Sequence, residues 1–269
     1  MADRFEPQPQ ELVMTVLGAH LVPRDRLVWS GGLVGLLAEF GFSAGAARVA
    51  LTRLVRRELI ARVRRGRLVD YTLTPRSSAV LEEGDRRIFS LGRRPRDSRR
   101  WTVLWHGIPE SRRLERQRLV RRLRFLGFGS VQDGTWIAPH DREREVAALL
   151  RELRVGEYAG LMLGAPAAAM DFRGFASRVW DLDALDKQYH EFVATFDRTR
   201  PAELDDGAAF AVRVRLVHTF RQFPFLDPEL PTDLLPPPPH RAPAVRLFHD
   251  LYPALAVAAQ RHFDEVTRP

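Results

Sequence analysis

Between Ala44 and about Leu59 the chain can arrange its side chains in only one regular way. Ala47, Leu51, Leu54 and Val55 recur at helical spacing on one face, whereas Arg48, Thr52 and Arg56 stand at i, i+4 and i+8 on another, with Arg53 and Arg57 beside them. Such a segment is a half-buried helix with a cationic outer face, and Ser43, after Gly41, is placed to cap its start. Two shorter periodic runs precede it: Leu12, Val13, Val16 and Leu17 after Pro9, and Leu33, Leu36, Leu37 and Phe40 between Ser30 and Gly41. Two strands follow, Ala61 to Val63 and Leu68 to Leu73, joined by Arg64-Arg65-Gly66-Arg67.

Three helices and a basic-tipped hairpin, in this order, predict a winged helix-turn-helix over residues 1–75. In that fold the third helix enters the major groove, where arginine can pair with guanine O6 and N7, and wing arginines meet phosphates or the minor groove. The candidate DNA-contacting residues are therefore Ser43, Arg48, Thr52, Arg53 and Arg56 on the helix and Arg64, Arg65 and Arg67 on the hairpin. The distribution of charge agrees. Residues 1–126 hold 26 Lys+Arg and 13 Asp+Glu, a net of +13, and residues 127–269 hold 16 and 21, a net of −5. A basic half followed by an acidic half points to a polyanionic partner at one end and another task at the other. Only Lys187 among the basic residues is a lysine, and guanidinium suits phosphate and guanine better than ammonium.

The rest of the chain divides into a connector and two domains. Residues 76–100 form the connector, in which Thr74-Pro75 opens a helix, Gly92 closes it, and five arginines crowd residues 93–100. Residues 101–170 read as strand (Trp101 to Ile108), helix (Ser111 to Leu126), strand (Ser130 to Ala138, with Asp133-Gly134 inside it), helix (Arg142 to Arg154) and strand (Tyr158 to Leu163). Either a βαββαβ or a βαβαβ order follows, and a ferredoxin-like α/β sandwich is the economical fold. Residues 171–269 are expected to be a mainly helical domain. Leu182, Leu185, Tyr189, Phe192, Val193 and Phe196 mark one helix and residues 207–222 a second; a proline-punctuated extended crossing runs from Phe223 to Pro239, and a last helix covers Ala242 to Val266. The fold class is thus α+β and multidomain.

Zero cysteine excludes disulfides, thiolate zinc sites, iron-sulfur clusters and a cysteine nucleophile. Met1 to Glu11 is polar, and the longest nearly uncharged apolar stretch, Tyr158 to Met170, is too short to span a bilayer. A cytoplasmic protein without a membrane partner is expected, nucleoid-associated when bound to DNA. There is no HExxH, GxSxG, P-loop or GxGxxG motif, so no catalytic residue, metal ligand or cofactor is assigned. Asp186 and His190, at i and i+4, are the one two-ligand metal edge to consider, against the plainer reading of a surface hydrogen bond.

The order and spacing of several strings carry a family resemblance over nearly the whole length. These are ARVALTRLVRREL at 47–59, IPESRR, LRFLGFG and GTWIAP between Trp101 and Pro139, WDLDALDKQY at 180–189, and LVHTFRQFPFLDPELPTDLLP at 216–236. The chain resembles the PaaX-like transcriptional regulators, the phenylacetate-catabolism repressor family of bacteria. The resemblance implies a homodimeric repressor that binds a palindromic operator on double-stranded DNA. It also implies release by an aryl-acetyl-CoA effector, phenylacetyl-CoA or a related acyl-CoA. It further implies a central domain similar to the small CRISPR-associated nucleases, which place a metal-binding aspartate at the end of the first strand. Here that strand ends Trp105-His106-Gly107-Ile108 without a carboxylate, so an enzyme is not expected; a metal-dependent nuclease on this domain, or a regulator of a different acyl-CoA, are the alternatives. His218 and Arg221 match the family's His-x-x-Arg pattern before FPFLDP and are the candidate effector-binding residues, able to meet a thioester oxygen and a coenzyme phosphate.

Overall fold

A computed structural model describes residues 5–21, 23–93 and 100–269. They form two compact units, each built from several stretches of chain: residues 1–89, 192–221 and 243–269 belong to the first, and residues 90–191 and 222–242 to the second. The 171–269 segment expected as one helical domain is therefore shared between both. Residues 94–99, within the expected arginine-rich connector, lie outside the described residues.

In the first unit, α1 (Pro9–His20), β1 (Val28–Trp29), α2 (Ser30–Ala38), α3 (Ala44–Arg56), β2 (Ile60–Arg65), β3 (Leu68–Leu73) and α4 (Pro75–Ser90) follow in order. β1 and β2 flank β3 in an antiparallel sheet, with Val28 opposite Tyr71 and Arg65 opposite Leu68. Strand β1, absent from the sequence reading, is only two residues long, too short for an alternation signal. Helix α3 stops three residues before the expected Leu59, because Glu58 takes a left-handed conformation (φ 56°) and the Leu59 N–H turns back to the Leu54 carbonyl. The predicted apolar face of α3 is the buried one: Ala47, Leu51 and Leu54 are 2% exposed or less and join Leu12, Val16, Leu33 and Leu36 in one core.

Two C-terminal helices complete that core. Phe210 and Val214 of α9 (Asp206–Phe220) and Ala259 and Phe263 of α12 (Ala256–Val266) are fully buried in it. The approach is close enough to require glycine: a Cβ at Gly32 of α2 would lie 2.5 Å from the Val266 carbonyl oxygen and the Thr267 Cα. The last helix expected over 242–266 is broken in two, α11 (Arg241–Ala254) and α12, with Pro253 near the break; a proline has no N–H to continue the ladder and its ring crowds the preceding turn.

The second unit contains β4 (Trp101–His106), α5 (Arg113–Phe125), β5 (Gly129–Gln132), β6 (Thr135–Ala138), α6 (Glu143–Leu153) and β7 (Ala159–Gly164), in a fully antiparallel sheet of order β5-β6-β4-β7. This is the ferredoxin-like sandwich in its βαββαβ form. Asp133-Gly134 is a hairpin turn between two strands and not the interior of one. Gly134 has φ +73°, and its carbonyl accepts from the His106 N–H. One face of the sheet, with Leu104, Trp136 and Ala138, packs under α5 and α6. The other face presents Trp101 and Ile137 to α7 (Phe172–Val179), Trp180, Leu230 and Leu235.

Helix α8 (Leu182–Phe196) begins in the second unit and ends in the first. The proline-rich crossing of the second unit is not extended throughout, since α10 (Phe223–Leu226) gives it one helical turn. It is held by a buried ionic cluster. Asp227, 5% exposed, accepts from Arg241 Nε at 2.5 Å and from the Tyr189 hydroxyl at 2.8 Å through Oδ2, and from the Glu229 N–H at 2.7 Å through Oδ1. Arg241, 7% exposed, also donates to Glu229 at 2.6 Å. Removing Asp227 leaves Arg241 with the Glu229 carboxylate still beside it, but takes the acceptor from the Arg241 Nε, the Tyr189 hydroxyl and the Glu229 N–H. Asp227→Ala should therefore lower unfolding stability by about 1–3 kcal/mol in urea titrations followed by tryptophan fluorescence. A loss below about 1 kcal/mol would show that the arginine is solvated once the carboxylate is gone.

Candidate nucleic-acid interface

Helix α3 starts at Ser43, whose Oγ accepts from the Ala46 N–H at 3.2 Å, so Ser43 acts as a helix cap. Along the exposed face stand Arg48, Thr52, Arg53, Arg56 and Arg57. The Thr52 hydroxyl donates to the Arg48 carbonyl at 2.9 Å, which fixes its methyl and oxygen positions on the stripe. Arg53, Arg56 and Arg57, with Gln10 of α1, line a shallow hollow of about 240 Å³ at the end of the helix.

Strand β3 has its expected bounds, but β2 runs longer than the expected Ala61 to Val63, so Arg64 and Arg65 are strand residues and only Gly66-Arg67 forms the loop. Arg62 is exposed on the same alternation as Arg64 and adds a cation that the sequence reading passed over; an i, i+2 count along the strand would have found it. Arg65 differs from its neighbours. Its Nε donates to Oδ2 of Asp70 at 2.9 Å and its Nη2 approaches Oδ1 at 3.4 Å, and Asp70 is fully buried. Arg65 thus neutralises a buried carboxylate from the hairpin edge, whereas Arg48, Arg53, Arg56, Arg57, Arg62, Arg64 and Arg67 form no ion pair among the described residues. A set of unpaired guanidinium groups on one helix and the adjoining hairpin is a surface that concentrates anions.

His218 and Arg221 do share one face of the chain's α9 end, but that face meets α1. His218 Nδ1 lies 2.9 Å from the Thr15 hydroxyl, which itself donates to the Glu11 carbonyl at 3.0 Å, so the imidazole is the donor. Arg221 Nη2 stands 3.7 Å from Glu11 Oε2. The partners of both thus belong to α1 and not to the proline-rich crossing that follows α9 in the chain. Nearby, Arg213 of α9 is 7% exposed and has no carboxylate partner in any ion pair seen among the described residues. It donates to the Ala19 carbonyl at 3.0 Å and the Tyr252 carbonyl at 3.3 Å, and its guanidinium lies 4.0 Å from the centre of the Tyr252 ring.

Asp186 and His190 do not form a pair. Both Asp186 oxygens are taken by His240, Oδ1 by its N–H at 2.9 Å and Oδ2 by Nδ1 at 2.9 Å. Among the described residues no three His, Asp or Glu side chains converge as metal ligands would. In the sandwich, His106 ends β4, and burial holds its imidazole below the ordinary pKa.

A basic helix-and-hairpin module, a ferredoxin-like sandwich and helices contributed from the C-terminal third define a multidomain class of protein, and known proteins of that organisation match. Residues 8–77 match the family described as PaaX-like protein, residues 94–173 the PaaX protein central Cas2-like domain, and residues 180–265 the PaaX-like protein C-terminal domain. The chain belongs to the PaaX-like family. It is 26% identical over 259 residues to the transcriptional repressor PaaX of Escherichia coli, covering 92% of this chain and 80% of that protein. It also shares its fold with the uncharacterized protein Rv0674 from Mycobacterium tuberculosis, at a TM-score of 0.60 and 23% identity, over 97% and 99% of the two chains.

The histidines around α9 make the first unit sensitive to acid. Burial and the adjacent Arg213 cation push His20 down to about 3, and burial followed by Arg221 pushes His218 down to about 4. Unfolded, both would take up a proton near pH 6.5; folded, they resist it, so stability falls as pH drops from about 6.5 toward about 4. Fully buried His20 alone should cost about 2 kcal/mol at pH 5 relative to pH 7, visible as a lower urea midpoint, and a midpoint unchanged between those pH values would contradict it. His218, more exposed, should add to the fall by a smaller amount.

Proposed function

We propose that this chain is a non-enzymatic transcriptional repressor that binds double-stranded DNA through a winged helix-turn-helix formed by α1 to β3. The observation that carries the reading is the unpaired arginine set on α3 and the β2–β3 hairpin, opposite a helix face committed to the core. In this reading Arg48, Thr52, Arg53 and Arg56 meet base edges and phosphates in the major groove, with Arg64 and Arg67 on the flanking backbone. Ser43 and Arg65 hold the helix start and the hairpin in shape, Arg65 at a site still close to the DNA backbone. Similarity to a transcriptional repressor of the same family supports the assignment, as does the charge of the first 126 residues.

The rest of the reading comes from the family. The repressor acts as a homodimer on a palindromic operator of an aromatic-acid catabolic operon and leaves it when an aryl-acetyl-CoA, phenylacetyl-CoA or a related thioester, binds. Its place is the cytoplasm, on the nucleoid when bound. Among the described residues no helix is long and apolar enough to cross a membrane. An effector that prefers the dimer with its recognition helices at another spacing shifts the population off the operator.

Selection of bound duplexes from a random library, followed by titration of the selected sequence, tests this. Arg48→Ala or Arg56→Ala should weaken the selected site by about 1–3 kcal/mol where the arginine reads a base. Arg64→Ala and Arg67→Ala should each lower the salt slope by about 1 without changing the selected sequence. No enriched sequence, or wild-type affinity in both α3 variants, would overturn the assignment.

A further inference from the structure

The sandwich of the second unit has a cavity of about 610 Å³ that the DNA-binding reading does not use. One wall is a strip of α5 carrying Arg116, Arg121 and Arg124; the other is made by the end of β4, by β6 and by the Asp133–Gly134 turn, with His106, Asp133 and Trp136 on it. Arg116 is held by Glu110 at 2.6 Å, but Arg121 and Arg124 form no ion pair among the described residues, and the Arg124 guanidinium lies 5.9 Å from the Trp136 ring. Neither ring nitrogen of His106 has a hydrogen-bond partner among the described residues.

We propose that this cavity binds a phosphate-bearing, nucleotide-sized small molecule, with Arg121 and Arg124 holding its phosphates. Two guanidinium groups one helical turn apart match the oxygens of two phosphates, as in a diphosphate, and guanidinium forks meet such oxygens in pairs. The volume falls in the range of sites that enclose a whole small ligand, far more than inorganic phosphate needs. Asp133 opposes an anion, but Arg121 and Arg124, which have no ion pair among the described residues, outnumber it. The shared chemistry is that of an adenine nucleotide and of the head of a coenzyme A thioester. The proposal deepens the repressor reading by giving its effector's phosphates a place, yet binding to the cavity is measured without DNA.

Isothermal calorimetry on the full chain at about 150 mM salt, where the screening length is about 8 Å, separates local from diffuse attraction. The probes are coenzyme A, ADP, inorganic pyrophosphate and a short DNA duplex. Coenzyme A or ADP should bind once per chain, and the double variant Arg121→Gln, Arg124→Gln should bind at least tenfold more weakly, with an unchanged melting temperature. Arg122→Gln, an exposed arginine on the same helix outside the cavity, should bind as wild type. Binding of both organic phosphates assigns the site to the nucleotide head, and binding of coenzyme A alone assigns it to the coenzyme. The proposal falls if neither binds, if Arg122→Gln loses as much as the double variant, or if only the duplex responds to the double variant. Loss of sequence-selective DNA binding with the calorimetry intact would remove the repressor reading and leave this site standing.

Discussion

The first unit depends on how one buried cation is satisfied. Arg213 sits in the core with no carboxylate partner among the described residues, and an isolated guanidinium there would be prohibitive unless hydrogen bonds and oriented dipoles replace water. It is met by the Ala19 carbonyl in the last turn of α1, the Tyr252 carbonyl in the last turn of α11 and the face of the Tyr252 ring. Helix C-termini carry partial negative charge, so two of them converging on one arginine supply much of what a carboxylate would. His20 completes the site only as a neutral ring, accepting from Arg213 at Nε2 and donating to Gln260 through Nδ1. One residue thereby fixes α1, α9 and α11 together, and α1 packs directly against α3. The surface that presents the arginine stripe is held from behind by helices encoded some two hundred residues later.

The second unit uses a different solution for the same kind of problem. Asp227 and Arg241 pair directly, with Tyr189 and Glu229 filling the remaining oxygens and N–H groups. A fully hydrogen-bonded buried pair adds little net stability over apolar packing, but it tolerates only one arrangement of its partners. That suits a crossing rich in prolines, which has few backbone hydrogen bonds of its own to set its course. The stacking of Phe223 on Tyr189 at 4.1 Å and of Phe225 on Phe125 at 4.5 Å anchors the same segment from its start.

Much of the molecule was legible in the sequence because it is governed by periodicity. The apolar face of α3, the cationic stripe opposite, the hairpin after it and the helices and strands of the sandwich follow from spacing alone, to within a few residues at their ends. What was missed had a short or distant cause. Strand β1 has two residues, the Asp133-Gly134 turn split an alternating run that looked continuous, and Pro253 lies near the break between α11 and α12. The candidate DNA residues are all exposed, but Arg65 could not be told from Arg64 and Arg67, since its distinction is a buried Asp70 across the hairpin. His218 and Arg221 were grouped correctly on one face, while the element that this face meets lies two hundred residues away.

The sequence by itself determined which segments are helical, which faces are apolar, and that one end of the chain is a basic helix-and-hairpin module, because these follow from local spacing and charge. Tertiary structure alone decided that the C-terminal third is divided between two units, that Arg213 and Arg241 are buried while most arginines of the chain's basic half stay in water, and that Arg121 and Arg124 border a cavity. The physical reason is that burial and pairing of a charge depend on what the fold brings opposite it. For an arginine in a chain that has 42 basic residues, neighbours in sequence do not carry that information.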